Sequence, residues 1–552
     1  MWMLVIAQVP FAARTPSAAR TRDQLVTPLQ CTVTMAHADI PTLQEITQLT
    51  HSELTLSQDG DDIIDCGRAC LALLPDDPET CLEVAYQHLH DVPYKDVKRC
   101  WRRLYVDAAL SVALGVLKGQ LEGWSGRGKE GEDEEKRCVR DRDGEVDWVT
   151  KVVKILDMAL ILTGAPAREE LVELWFSALG GALARDADEA RPAKRRKLDL
   201  DTQNDLLQTP SCTIAPPPST FPTTLTTPPT LKHPIPRTLH PSLSAFQTKI
   251  SNPPTQTPFI IEGAIEHWPA LHERPWNRPA YLLEKTLGGR RLVPVEIGRS
   301  YTDEGWGQKI LSFGEFVGRY MGGEEMNENE DNAQHTSDPC DLKPQTGYLA
   351  QHDLFAQIPS LRADISIPDY CYASPPALPP SPPTTTTTTT SKPVPILEEP
   401  LLNAWFGPTS TISPLHTDPY HNILAQVVGH KYVRLYAPRE TPKLYPRGVD
   451  ENGIDMSNTS EVDLDVAMRV WPEISCWEGD GGSGGERDVG STAREEDAEE
   501  EMPTWAERYA GFKDARYVEG VLGPGECLYV PVGWWHYVRS VTPSFSVSFW
   551  FN

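Results

Sequence analysis

His416 and Asp418 stand two residues apart in SPLHTDPYHN. Along an extended chain alternate side chains share a face, so an imidazole and a carboxylate at this spacing converge on one point. That is metal-ligand spacing. A second imidazole, His536, follows far downstream in VPVGWWHYV, after a strand expected over Cys527–Val530 and before another over Ser544–Phe551. Two histidines and one carboxylate, supplied from the two ends of an antiparallel sheet, make the facial set that holds non-haem Fe(II) and leaves three positions open. A lone H-x-D means little, and the distant histidine gives it weight.

The elements that must position these groups follow directly. Two β-rich runs, 422–428 and 431–436, are separated by Gly429 and His430, a two-residue connection that predicts a tight II′ hairpin. In that register Val428 faces Lys431, Gln426 faces Val433 and Leu424 faces Leu435, which puts Asn422, Gln426 and Lys431 on one side of the sheet. A lysine on the core side is costly unless it meets an anion, so a small carboxylate ligand is expected there. His430 in the turn and His421 beyond Pro419 are not expected to be ligands.

The stretches IIEGAIEHWPAL, VPVEIGRSYTDEGWGQ, GYLAQHDLFAQIPSLRADISIPDYC, NAWFGPTSTISPLHTDPYHNILAQVVGHKYVRLYAP and VPVGWWHYVRSVTPSFSVSFWFN span the C-terminal half. In them the chain resembles the jumonji-C family of 2-oxoglutarate oxygenases, and within it the jumonji domain-containing protein five group, also called lysine demethylase eight. The resemblance implies an α+β architecture, an N-terminal all-α helical domain followed by a cupin-like double-stranded β-helix (jelly-roll barrel) with flanking helices. It implies Fe(II) on His416, Asp418 and His536, with 2-oxoglutarate held by Tyr301, Ser413, Asn422 and Lys431, and O₂ as the third reactant.

By the same analogy Glu262 is expected to take a substrate guanidinium in a bidentate salt bridge. Trp405 and Trp550 either line the substrate pocket or belong to the core. The expected activity is hydroxylation of a protein or peptide side chain, with peptidyl-arginine favoured. Demethylation of methyl-lysine on a histone is the alternative, and a helical interaction protein with a silent barrel is the second. The intact ligand set and lysine argue against the last.

Net charge is −27 and no basic stripe runs through the C-terminal half, which disfavours direct nucleic-acid binding and suits a basic peptide. The eleven cysteines have no framework spacing and are odd in number, as in reducing compartments. Cys66 and Cys70 lie one helical turn apart and are read as core rather than as a zinc site, since no second pair accompanies them in sequence.

Four regions are expected. Residues 1–39 form a tail whose apolar start, MWMLVIAQVP, is too short to span a bilayer. Its Arg14, Arg20 and Arg22 ahead of Asp23 resemble a mitochondrial transit peptide, the competing expectation being a non-native extension upstream of Met35. Residues 40–190 have helical periodicity, as in Trp101, Leu104, Tyr105, Ala108 and Val112 and again in Trp148, Val152, Ile155, Leu156 and Ala159, with Gly164 and Pro166 marking a helix boundary. Residues 191–237 carry the basic cluster RPAKRRKLD, which points to the nucleus with or without a cytoplasmic pool, and a Pro/Thr-rich linker. Residues 238–552 form the catalytic domain, interrupted by surface insertions near 322–338, 373–392 and 479–501.

Overall fold

The computed structural model describes residues 40–56, 60–125, 147–189, 218–252, 255–303, 305–322, 346–376, 394–449, 453–477 and 504–552. The tail 1–39, the charged loop 126–143, the basic cluster 191–199 and most of the three insertions lie outside them. The described residues fall into two compact units.

The first unit contains six α-helices: α1 (Leu43–Thr55), α2 (Arg68–Leu73), α3 (Pro78–His90), α4 (Arg99–Ser125), α5 (Trp148–Thr163) and α6 (Glu169–Glu189). Local chemistry sets their ends. Thr42 and Glu45 form a reciprocal capping box on α1, Asp77 with Pro78 opens α3, and Asp147 caps α5. Gly164 ends α5 in the left-handed conformation at φ 72°, where a side chain would be strained. Leu104, Tyr105 and Ala108 of α4 and Val152, Leu156 and Ala159 of α5 are buried in one cluster, as their spacing predicts. By length and composition α4 is apolar enough to cross a membrane, but 56% of that stretch is buried within the protein, as in a core helix. The cluster also hides a polar knot in which Asp107 accepts from Arg103 and from Arg168 Nε at 3.1 Å.

The second unit is built on thirteen strands: β1 (Arg237–Leu239), β2 (Phe259–Glu262), β3 (Leu292–Ile297), β4 (Gly307–Ser312), β5 (Gly347–His352), β6 (Leu401–Gly407), β7 (Ile412–His416), β8 (His421–Val428), β9 (Lys431–Tyr436), β10 (Tyr517–Leu522), β11 (Cys527–Val530), β12 (Trp535–Ser540) and β13 (Ser544–Phe551). They form a nine-stranded sheet in the order β1-β2-β11-β8-β13-β6-β5-β3-β4 and a four-stranded sheet in the order β10-β9-β12-β7. Ile260, Leu424 and Leu528 of the large sheet meet Val433, Leu435 and Val538 of the small one in a shared core, which is the jelly-roll interior. On the outer side of the small sheet, Tyr432, Tyr436 and Tyr537 pack with Leu464, Met468 and Phe512.

The runs on either side of Gly429-His430 are strands, but they are not a hairpin. β8 pairs with β11 and β13, whereas β9 pairs with β10 and β12, so the chain changes sheets at Gly429. The two-residue turn signal is real, and burial on both faces of each strand overrides it. β8 and β9 are buried at every position, and two buried runs are each satisfied better as central strands than as each other's neighbours. The expected pairs Val428 with Lys431, Gln426 with Val433 and Leu424 with Leu435 therefore do not form. Lys431 still points inward, because it alternates with Tyr432 on a strand whose other face packs outside the barrel.

Candidate metal centre

β7 and β12 are antiparallel neighbours, and His416 and His536 are direct register partners across them. The two imidazoles stand opposite each other at the same end of the small sheet, with ring centroids 4.2 Å apart. Asp418, two residues beyond His416, turns its carboxylate to both: Oδ1 is 3.6 Å from His416 Nε2 and Oδ2 is 3.4 Å from His536 Nε2. One ligand atom from each of the three lies within 4.8 Å of the others, close enough for all to reach one ion.

The rings are oriented for this. His416 Nδ1 donates to the Pro414 carbonyl at 2.7 Å and His536 Nδ1 to the Trp534 carbonyl at 3.1 Å. With the proton assigned to Nδ1 by those acceptors, each Nε2 lone pair faces the carboxylate. A carbonyl on the non-ligating nitrogen is the usual support of a metal-binding histidine.

Burial lowers His416 to about 4, with the nearby His536 adding to the effect. Burial also acts to lower His536, but the Asp418 charge outweighs it and raises this ring. Burial would raise Asp418, yet His536 and His416 hold it below the usual carboxylate range. The carboxylate thus recruits positive charge to the point where the three side chains meet.

The same three residues line a cleft that opens to solvent. Ser413, Asn422, Lys431, Tyr348 and Trp405 line it with them, over an apolar floor that includes Leu424, Val433 and Leu528. Lys431 is 1% exposed, and its ammonium meets the Tyr348 hydroxyl at 3.2 Å. Burial takes this lysine down to about 7, and no acidic group among the described residues acts against it. Asn422 donates toward Asp418 and leaves its amide oxygen buried without a partner. A buried cation with no anion beside it among the described residues fits an acidic guest, and the free Asn422 amide oxygen is open to a donor. The donor set of two imidazoles and one carboxylate fits a divalent metal beside it.

The other expected residues are placed as follows. Ser413 faces the cleft from β7, and its hydroxyl bonds the Tyr348 phenol. Trp405 lines the cleft with its indole N–H fixed on Ser548 Oγ at 2.9 Å. Trp550 is buried, pairs in register with Asn422 and packs on Tyr420, its indole N–H unpartnered. Tyr301 is not among the lining residues; its hydroxyl is 3.4 Å from Thr459 Oγ1, and Thr459 bridges to His416 through the backbone.

Glu262 is not brought to the centre. Phe259 aligns with Tyr529, while Val530 aligns with Asn422 at the metal end, so β2 runs away from that end toward Glu262. There Glu262 accepts from Arg237 Nη1 at 2.8 Å, and Arg237 also binds Glu526. His421 and His430 stand outside the triad, His421 accepting from the Tyr529 hydroxyl at 2.9 Å. Tyr348 is the cleft residue that sequence reasoning missed. Nothing in GYLAQH marks it: β5 is buried over its first three residues and half-buried over the rest, with no alternation, charge or spacing as a signal.

Comparison with known proteins agrees with this geometry. A cupin-like domain model matches residues 245–552. Lysine-specific demethylase 8 of Danio rerio is 30% identical over 477 residues, 85% of this chain and 86% of that protein. Lysine-specific demethylase 8 of Xenopus tropicalis is 36% identical over 318 residues, 58% of this chain and 53% of its own length. Jumonji C domain-containing protein 5 of Drosophila melanogaster is 35% identical over 318 residues, 58% of this chain and 60% of its own length. With a jelly roll, a His-Asp-His set that can hold a metal, and relatives of these names, the chain belongs to the jumonji-C family of cupin-like 2-oxoglutarate-dependent oxygenases, in the jumonji domain-containing protein five group.

Proposed function

We propose that this chain is an Fe(II)- and 2-oxoglutarate-dependent hydroxylase of a protein side chain, with peptidyl-arginine as its target. The observation that carries the reading is the meeting of His416, Asp418 and His536 beside a buried, anion-free Lys431 in one cleft. Ferrous iron with 2-oxoglutarate supplies oxidative decarboxylation to succinate and CO₂, coupled to insertion of one oxygen atom of O₂ into a substrate C–H bond.

The protein's part is binding and exclusion. The three side chains hold the ion through Nε2, Nε2 and a carboxylate oxygen. Lys431, with the Tyr348 hydroxyl on its ammonium, takes the distal carboxylate of the cosubstrate, and Ser413 and Asn422 contribute polar contacts. Leu424, Val433 and Leu528 keep water from the floor. Trp405, its face fixed by Ser548, offers a wall on which a guanidinium plane stacks. The net charge of −27 favours approach of a basic peptide. Glu262, paired with Arg237 away from the metal end, plays no part in this reading. The cluster 191–199 supports residence in the nucleus, which localisation of the chain with and without that cluster tests.

The second reading, removal of methyl groups from lysine, is favoured by the names of the Danio and Xenopus relatives. Mass spectrometry of arginine- and methyl-lysine-bearing peptides after turnover separates the two. Hydroxylation adds one oxygen to arginine; demethylation removes a methyl group and releases formaldehyde. Formaldehyde with unmodified arginine would overturn the first reading.

A further inference from the structure

The ladder that should fix the two histidines is interrupted beside them. Between His416–His536 and the next aligned pair, Ser413–Val538, β7 takes three steps and β12 only two. The extra residue is a bulge, and Pro414 within it has no N–H to donate. Backbone pairing alone therefore leaves the spacing of the ligands loosely set.

A polar network on the outer face of the same sheet spans the gap. On β12, Tyr537 and Arg539 point outward while His536 and Val538 point in. The Tyr537 hydroxyl donates to Asp465 Oδ1 at 2.7 Å, and Arg539 Nη1 lies 3.3 Å from the same oxygen. The other Asp465 oxygen receives Arg299 Nη1 at 3.3 Å. Arg299 also binds Asp463, which caps the short helix Leu464–Val470, and Asp303 at 3.0 Å. The turn that Arg299 and Asp303 close carries Tyr301, whose hydroxyl meets Thr459. Thr459 lies against His416 on the free edge of β7, where Thr417 N–H bonds the Asn458 carbonyl and Ser460 N–H the Leu415 carbonyl, each at 2.8 Å. The contacts thus run from the neighbour of one histidine to the backbone of the other.

We propose that Tyr537 and Asp465, the latter braced by Arg299, are positioning residues that set the spacing of His416 and His536, and hence the affinity of the metal centre. The inference rests on the metal reading above. Its logic is that of outer-shell support generally: a ligand held by partners in one place loses less freedom when the ion arrives. A network of this kind braces two strands whose ladder is broken by a bulge beside the ligands.

The test is a Co(II) titration of the full chain, followed by the visible ligand-field absorption of the bound ion, in wild type, Tyr537→Phe, Asp465→Asn and His536→Ala. Thermal melting of the metal-free proteins reports folding separately. Tyr537→Phe and Asp465→Asn are expected to weaken Co(II) binding about tenfold, the lower end of what outer-shell losses cause, and to alter the band shape while leaving the metal-free melt cooperative. Wild-type affinity and band shape in both variants would overturn the inference. If Asp465→Asn does not fold, Tyr537→Phe decides alone, since it removes one hydroxyl and keeps the ring. If wild type binds no more Co(II) than His536→Ala, the metal reading fails and this inference with it, a result distinct from wild-type binding that the network variants leave unchanged.

Discussion

At the scale of single residues, Lys431 makes the sharpest demand on the chemistry. Burial lowers it to about 7, whereas in the unfolded chain a lysine keeps its proton to about 10. Between those values the unfolded state binds more protons than the folded one, so the stability of the ligand-free protein is expected to rise with pH across that window. Ligand binding has the opposite sign. A dicarboxylate needs the ammonium, so at about pH 8 binding of 2-oxoglutarate should take up a proton, and its affinity should fall as pH rises further. Calorimetry in buffers of different ionisation enthalpy measures that uptake. Lys431→Ala should abolish both the uptake and most of the affinity, and unchanged affinity in that variant would remove the lysine from the site. The inward lysine was expected from strand alternation together with a hairpin register; the alternation holds and the register does not. Tyr348 was not expected, because a neutral tyrosine on a half-buried strand looks the same whether it meets a lysine or a core.

At the scale of elements, the strands that bracket the site could be read from the sequence and their partners could not. The runs at Cys527–Val530 and Ser544–Phe551 are strands as expected. The pairing of β8 with β9 fails because local turn chemistry knows nothing of the second sheet. Gly429 shows how tight the actual crossing is. At φ 69°, a Cβ there would lie 2.0 Å from the Pro543 carbonyl oxygen and 2.5 Å from Thr542 Oγ1. Gly429→Ala is therefore expected to cost about 1–3 kcal/mol or more from overpacking alone, with backbone strain added, seen as a lowered denaturation midpoint. A midpoint within error of wild type would contradict the close approach of Pro543 and Thr542 at the crossing. Direct pairing of His416 with His536 was also beyond sequence reading, which placed the ligands at two ends of a sheet. The register that joins them is set by long-range packing of β12 between β9 and β7.

At the scale of the whole molecule, charge and the metal centre frame the account. A chain of net charge −27 should gather basic peptides electrostatically. Between about 0.01 and 0.15 M salt the screening length shrinks from about 30 to about 8 Å, so KM for a basic peptide should rise several-fold while kcat holds. A KM indifferent to salt would place recognition in short-range contacts alone. The central claim concerns three side chains and one ion, and calorimetric titration of Fe(II) and then 2-oxoglutarate into the anaerobic protein tests it most directly. The account predicts one ferrous ion per chain in wild type, 2-oxoglutarate binding that depends on it, and loss of both in His416→Ala, Asp418→Ala and His536→Ala proteins that melt as cooperatively as wild type. Undiminished Fe(II) binding in any of those three folded variants would contradict it.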